Sequence, residues 1–208
     1  LLLKECGAKI VYFSPLRDEK LPDGCHGLLF GGGYPELYAK RLSENEKMRR
    51  AVREASKSGM PIVAECGGFL YLHRALTDQE GVRHDMAGVI EADCRNTGKS
   101  VRFGYVEVRE KRGHFLPENT EIRGHEFHYF DSTDNGRDAV AVKPVSGRTY
   151  PCVIADETHW MGFPHLYYPS NPAFVEAFVE KAGRYGEAVG WHRAGYEFAP
   201  GESIGFNG

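Results

Sequence analysis

The five residues Ala64-Glu65-Cys66-Gly67-Gly68 constrain the fold of this chain more than any others. They follow the apolar run Pro61-Ile62-Val63 and precede a helix-like stretch from Phe69 to Ala75. A cysteine wedged between a strand and a helix, with glycines behind it, has the form of a nucleophile elbow. The sharp turn lifts the side chain out of the sheet, and glycine lets neighbouring backbone pass without a clash. The helix that follows would aim its free N–H groups at the sulfur and favour a thiolate. The competing reading is a buried structural cysteine at a strand end.

The surrounding pattern extends the strand–helix alternation. Lys9-Ile10-Val11-Tyr12-Phe13 and Gly27-Leu28-Leu29-Phe30 are short apolar runs with turn chemistry around them, as buried parallel strands require. Ser43 and Glu46 form a capping box for a helix whose apolar face is Met48, Ala51, Val52 and Ala55, closed by Gly59 before Pro61. The series predicts an α/β fold, a mostly parallel open sheet with helices on both faces. Beyond about residue 85 the character changes. Val101 to Arg109, Glu121 to Tyr129 and Ala139 to Val145 read as additional strands, and Asn171-Pro172 caps a last helix with the face Phe174, Val175, Phe178, Val179 and Ala182. The tail from about Arg184 lacks periodicity and reads as loosely ordered.

A net charge of −3 gives no basic surface for nucleic acid, and no apolar run reaches the length of a bilayer span. Five cysteines, an odd number without a C-x-x-C pair, fit a reduced cytoplasmic protein better than a disulfide scaffold. The chain opens Leu1-Leu2-Leu3-Lys4-Glu5-Cys6-Gly7, like the end of a helix with no strand before it, so a fragment of a longer polypeptide lacking its first strand is expected.

Gly31-Gly32-Gly33-Tyr34-Pro35-Glu36 follows directly on the run ending at Phe30. Such a turn lets backbone approach a ligand and, with the N–H of Gly67, would supply two donors to an oxyanion. It is not a dinucleotide fingerprint, since Glu36 stands where the last glycine belongs. Gly98-Lys99-Ser100 is not a P-loop either, because Asp93 replaces the first glycine and a strand-like run follows. A thiolate nucleophile needs a base, normally histidine. Gly124-His125-Glu126-Phe127-His128-Tyr129 and Gly162-Phe163-Pro164-His165-Leu166-Tyr167 are the two settings that stand out, and spacing alone leaves His128 and His165 equal. His125 and His128 lie three apart in a strand-like run, so they do not read as a zinc site, and no metal is assigned.

Together these motifs resemble the class I glutamine amidotransferase domain, in the form found at the C-terminus of cobyrinate a,c-diamide synthases of cobalamin biosynthesis. The resemblance covers roughly residues 1–182, with 183–208 as the tail, and implies a flavodoxin-like fold. It implies that Cys66 attacks the side-chain amide of glutamine and that His165 serves as the base. Gly32, Gly33 and Gly67 would form the oxyanion hole by their backbone. Tyr34, His125, Glu126 and His128 are set to the glutamine pocket or a domain interface. No cofactor is implied for this domain. ATP and Mg2+ belong to an N-terminal synthetase domain, the partner that receives ammonia and binds the corrinoid. Hydrogenobyrinate and nickel-sirohydrochlorin relatives share this chemistry; a docking module without turnover and a cysteine peptidase or esterase are the further alternatives. Tyr167 stands where many such enzymes place an acid two residues after the histidine, and Ala64 replaces the first glycine of their elbow.

Overall fold

The computed structural model describes residues 2–190. A single turn, α1 (Leu2–Glu5), precedes β1 (Leu28–Phe30), the glycine turn and a 3-10 turn over Pro35–Tyr38. The helices α2 (Ala39–Glu44) and α3 (Glu46–Lys57), the strand β2 (Ile62–Glu65) and the short helix α4 (Gly67–Leu72) follow. Next come β3 (His73–Thr77), β4 (Arg83–Asp85), β5 (Ile90–Asn96), β6 (Arg102–Glu110), β7 (Ile122–His128) and β8 (Phe130–Ser132). The chain then forms β9 (Ala139–Val142), β10 (Thr149–Cys152), β11 (Ile154–Ala155), β12 (His159–Gly162), β13 (His165–Leu166) and α5 (Ala173–Ala188).

The sheet that carries the site has the order β1-β2-β12-β11. β1, β2 and β12 run parallel, and β11 is an antiparallel edge. All four residues of β2 are buried, as expected of a parallel strand covered on both faces. Because side chains alternate along a strand, its two faces meet different helices. Ile62 and Ala64 share a cluster with Met48, Val52 and Ala55 of α3. Val63 shares the other cluster with Trp160 and with Phe174, Val175 and Phe178 of α5. Helices therefore cover both faces, as expected. A five-stranded antiparallel sheet, β10-β9-β6-β7-β13, and a mixed four-stranded sheet, β4-β3-β5-β8, hold the remaining strands. The α/β class holds, with parallel pairing among β1, β2 and β12 and again between β3 and β5.

Five local expectations are corrected. Lys9 to Phe13 forms no strand. Val11 and Tyr12 are 54% and 90% exposed, and Phe13 alone packs, edge-on to Phe30. Without two covered faces the apolar run has no reason to join the sheet. The cap of α3 is Asn45, whose side-chain oxygen accepts the N–H of Met48 at 3.3 Å, while Ser43 lies inside α2. The helix after Cys66 stops at Leu72, not Ala75. The ring of His73 bonds the Phe69 carbonyl at 2.7 Å and Ser132 Oγ at 2.7 Å, and the backbone there turns extended. The last helix continues to Ala188, through the glycine-containing stretch read as loose; the expected tail beyond Gly190 lies outside the described residues. It opens at Pro172 without a side-chain cap, the Asn171 amide donating to Thr120 Oγ1 and the Glu121 carbonyl instead.

Candidate active site

The end of β2 delivers Cys66 into a backbone conformation that L-residues avoid, φ 47° and ψ −102°. Such strain persists only where its surroundings fix it. Here the N–H of Cys66 donates to Gly162 O at 2.9 Å, its carbonyl accepts from Leu70 N–H at 2.9 Å, and Gly68 N–H donates to Gly31 O at 3.0 Å. Glycine is required at the next two positions by close approach. A β-carbon on Gly67 would lie 2.7 Å from both N and C of Gly33, and one on Gly68 would lie 2.5 Å from Phe30 Cβ. The glycine turn after β1 is thus laid directly over the start of α4. Among the described residues, no protein group accepts from the N–H of Gly32 or Gly33, so both donors are open.

His165 completes the constellation. A β-carbon on Gly32 would overlap its Cε1 and lie 2.9 Å from Nδ1, so the ring rests against the same turn that covers Gly67. The antiparallel pairing of β13 with β7 sets His165 opposite His125, and the two rings stack with centroids 4.9 Å apart. His128 goes elsewhere. It is buried, flat against Phe163 with centroids 3.8 Å apart, and its Nδ1 bonds the carbonyl of Phe130 at 2.6 Å. β7's alternation separates the two histidines that spacing left equal, sending His125 outward, where His165 stacks on it, and Glu126 and His128 inward.

Glu126 is fully buried and accepts a hydrogen bond from Tyr150; Arg102 and Lys143 lie 3.6 and 3.8 Å from its carboxylate. Tyr34 is 69% exposed beside the turn. Of the residues read as lining a pocket or interface, Tyr34 and His125 therefore face outward, and Glu126 and His128 face the interior.

The electrostatics correct the thiolate expectation. Burial pushes the Cys66 thiol up to about 11; the Gly67 N–H opposes this, and the carboxylates of Glu36, Glu126 and Glu65 reinforce it. A six-residue helix does not outweigh the desolvation of a buried sulfur. Burial, with His125 and His128 nearby, also lowers His165 from the usual imidazole range, against a rise from Glu126. Burial thus pushes the thiol and the imidazole each toward its neutral form.

One site residue went unassigned in the sequence. Glu65, immediately before the nucleophile, is buried and accepts a hydrogen bond from Tyr168 Oη at 2.6 Å. Burial raises its carboxyl to about 7, against the lowering effect of the Tyr168 hydroxyl and the nearby Leu166 N–H. Its partner Tyr168 lies 103 positions away, and no local pattern signals it.

The described residues do not fit an ATP–magnesium site. Among the described residues no group of three or more His, Cys, Asp or Glu side chains could hold a metal ion, and the glycine turn leads into a 3-10 turn at Pro35 rather than into a helix. No helix among them is long and apolar enough to cross a membrane.

The elbow, the glycine turn over it and His165 beside that turn gather at the end of β2, and the fold is that of class I glutamine amidotransferases. A glutamine amidotransferase crystal structure superposes with a TM-score of 0.61 at 18% identity, covering 88% of this chain and 90% of that one. A GMP synthase-type protein from Thermoplasma acidophilum gives 0.56 at 18% identity, with 90% and 88% covered. Residues 1–162 match the CobB/CobQ-like glutamine amidotransferase domain, and the chain belongs to that family. It is 46% identical to cobyrinate a,c-diamide synthase of Salmonella typhimurium over 88% of this chain and 41% of that protein. The corresponding enzyme of Syntrophotalea carbinolica is 44% identical over 86% and 40%, and that of Caldanaerobacter subterraneus 39% over 88% and 41%. The chain spans about two-fifths of the length of these relatives.

Proposed function

We propose that this chain hydrolyses glutamine at Cys66 and passes the ammonia to a synthetase portion that amidates corrinoid carboxylates. The observation that carries the reading is the strained Cys66 under the Gly31–Gly33 turn, with the ring of His165 against Gly32. His165 takes the thiol proton as sulfur attacks the glutamine amide carbon, and an S–C bond forms. The carbonyl oxygen becomes an oxyanion facing backbone donors at Gly32, Gly33 and Gly67. His165 returns the proton to the amide nitrogen, the C–N bond breaks and ammonia leaves. Water, activated by the same ring, hydrolyses the thioester to glutamate.

The corrinoid and its activation belong, in this reading, to the part of the enzyme that the chain does not span, and ATP and Mg2+ with them. The relatives' name, cobyrinate a,c-diamide synthase, supports a corrinoid carboxylate as the group amidated. The outward face of the antiparallel sheet exposes Phe103, Tyr105, Phe127 and Tyr129 beside His125, and we place the synthetase partner against it. The five cysteines form no disulfide, in keeping with a cytoplasmic protein.

Ammonia release from glutamine tests the reading. Cys66→Ala and His165→Ala should each lower kcat by about a thousandfold or more. In the two-part enzyme, Cys66→Ala should abolish glutamine-dependent amidation and spare amidation fed with ammonium. Loss of both would make Cys66 a structural residue.

A further inference from the structure

We propose that Glu65 is the positioning residue for His165, tying the strand that bears the histidine to the strand that bears the nucleophile. The inference rests on the reading of His165 as the base. β13 has only two residues, and one edge pairs with β7 through His165↔His125 and Leu166↔Gly124. Tyr167 N–H extends that edge, donating to Arg123 O at 2.7 Å. On the other side the Glu65 carboxylate accepts the hydroxyl of Tyr168 at 2.6 Å and lies near the N–H of Leu166. These partners stand one and three residues beyond the histidine. Glu65 itself is the residue before Cys66 and pairs with Gly162 at the end of β12. One buried carboxylate thus joins nucleophile and base across two sheets.

Two other candidates for the task fail on geometry. Tyr167, in the place of the acid many such enzymes carry, is 61% exposed. Glu126 points to the opposite face of β7 from His125, which stacks on His165. The tolerance is small because the ring already touches Gly32, and a misplacement of about 1 Å costs about a hundredfold in rate.

The test measures kcat and KM for glutamine in Glu65→Ala, Glu65→Gln, Tyr168→Phe and His165→Ala, with thermal unfolding of each. Glu65→Ala should lose about 10- to 100-fold in kcat with KM within about threefold. In Glu65→Gln the side-chain amide keeps a hydrogen bond to the Tyr168 hydroxyl, so kcat should stay within about fivefold of wild type. A folded Glu65→Ala with near-wild-type kcat, a loss that appears in KM, or a Gln variant as impaired as the Ala variant would each overturn the proposal. If Glu65→Ala does not fold, Tyr168→Phe carries the test. A several-fold fall in kcat at constant KM sustains the proposal, and wild-type kcat overturns it. Retained activity in His165→Ala would instead remove the underlying reading.

Discussion

Gly32→Ala should separate catalysis from folding at a single methyl group. Gly32 is exposed and its φ lies outside the left-handed region, so alanine brings no backbone strain and keeps the N–H. What it brings is a β-carbon overlapping Cε1 of His165, 2.9 Å from Nδ1 and 3.3 Å from Nε2. Restoring contacts of about 3.5 Å or more requires the ring or the turn to retreat by about 1 Å. A shift of that size costs about a hundredfold in rate, or about 2.7 kcal/mol in activation free energy. Ammonia release from saturating glutamine should therefore fall by about two orders of magnitude, with the unfolding midpoint within a few degrees of wild type. Gly31→Ala is the control, since a β-carbon there meets nothing within 4 Å. A Gly32→Ala protein with more than half the wild-type kcat would refute the contact between turn and imidazole as a catalytic constraint.

Gly67→Ala places its methyl against the backbone of Gly33, which has no flexible end to yield, and should cost about 1–3 kcal/mol of stability as well as activity, read by chemical denaturation. An unchanged midpoint would show that the turn lifts freely. With the Cys66 thiol near 11, iodoacetamide modification of that residue, followed by peptide mapping, should speed up about tenfold per pH unit from pH 7 to 10. A plateau below pH 8 would mean a resting thiolate. The Glu65 carboxyl, raised from 4.5 to about 7 on folding, stabilises the fold below pH 4.5, and that contribution is lost as pH rises through about 7. The difference is worth up to about 3 kcal/mol, so wild type should lose stability relative to Glu65→Gln between pH 5 and 8. Parallel stability curves would contradict it.

What the sequence disclosed depended on how local its cause was. The elbow could be read directly, because β2, Cys66, Gly67 and Gly68 are consecutive and each has a backbone reason for its identity. The covered faces of α3 and β2 followed from periodicity. The strand after Leu72 was hidden because the ring of His73 ends the helix by bonding Phe69 and the distant Ser132. Asn45 and Ser43 are both good capping residues two positions apart, and α2, running to Glu44, decides between them. His165 and His128 were indistinguishable by spacing, since the difference lies in which face of β7 each meets. Glu65 sits inside the elbow motif, yet nothing local marks its role, because its partners Leu166 and Tyr168 come close only after β13 docks.

The decisive measurement is covalent. The protein is incubated with a diazoketone analogue of glutamine, and intact mass with peptide mapping locates the adduct. A single adduct on Cys66, suppressed by excess glutamine and absent from Cys66→Ala, is the predicted result. An unmodified Cys66 in folded protein, or an adduct that glutamine does not suppress, would contradict a glutamine-specific nucleophile at the elbow.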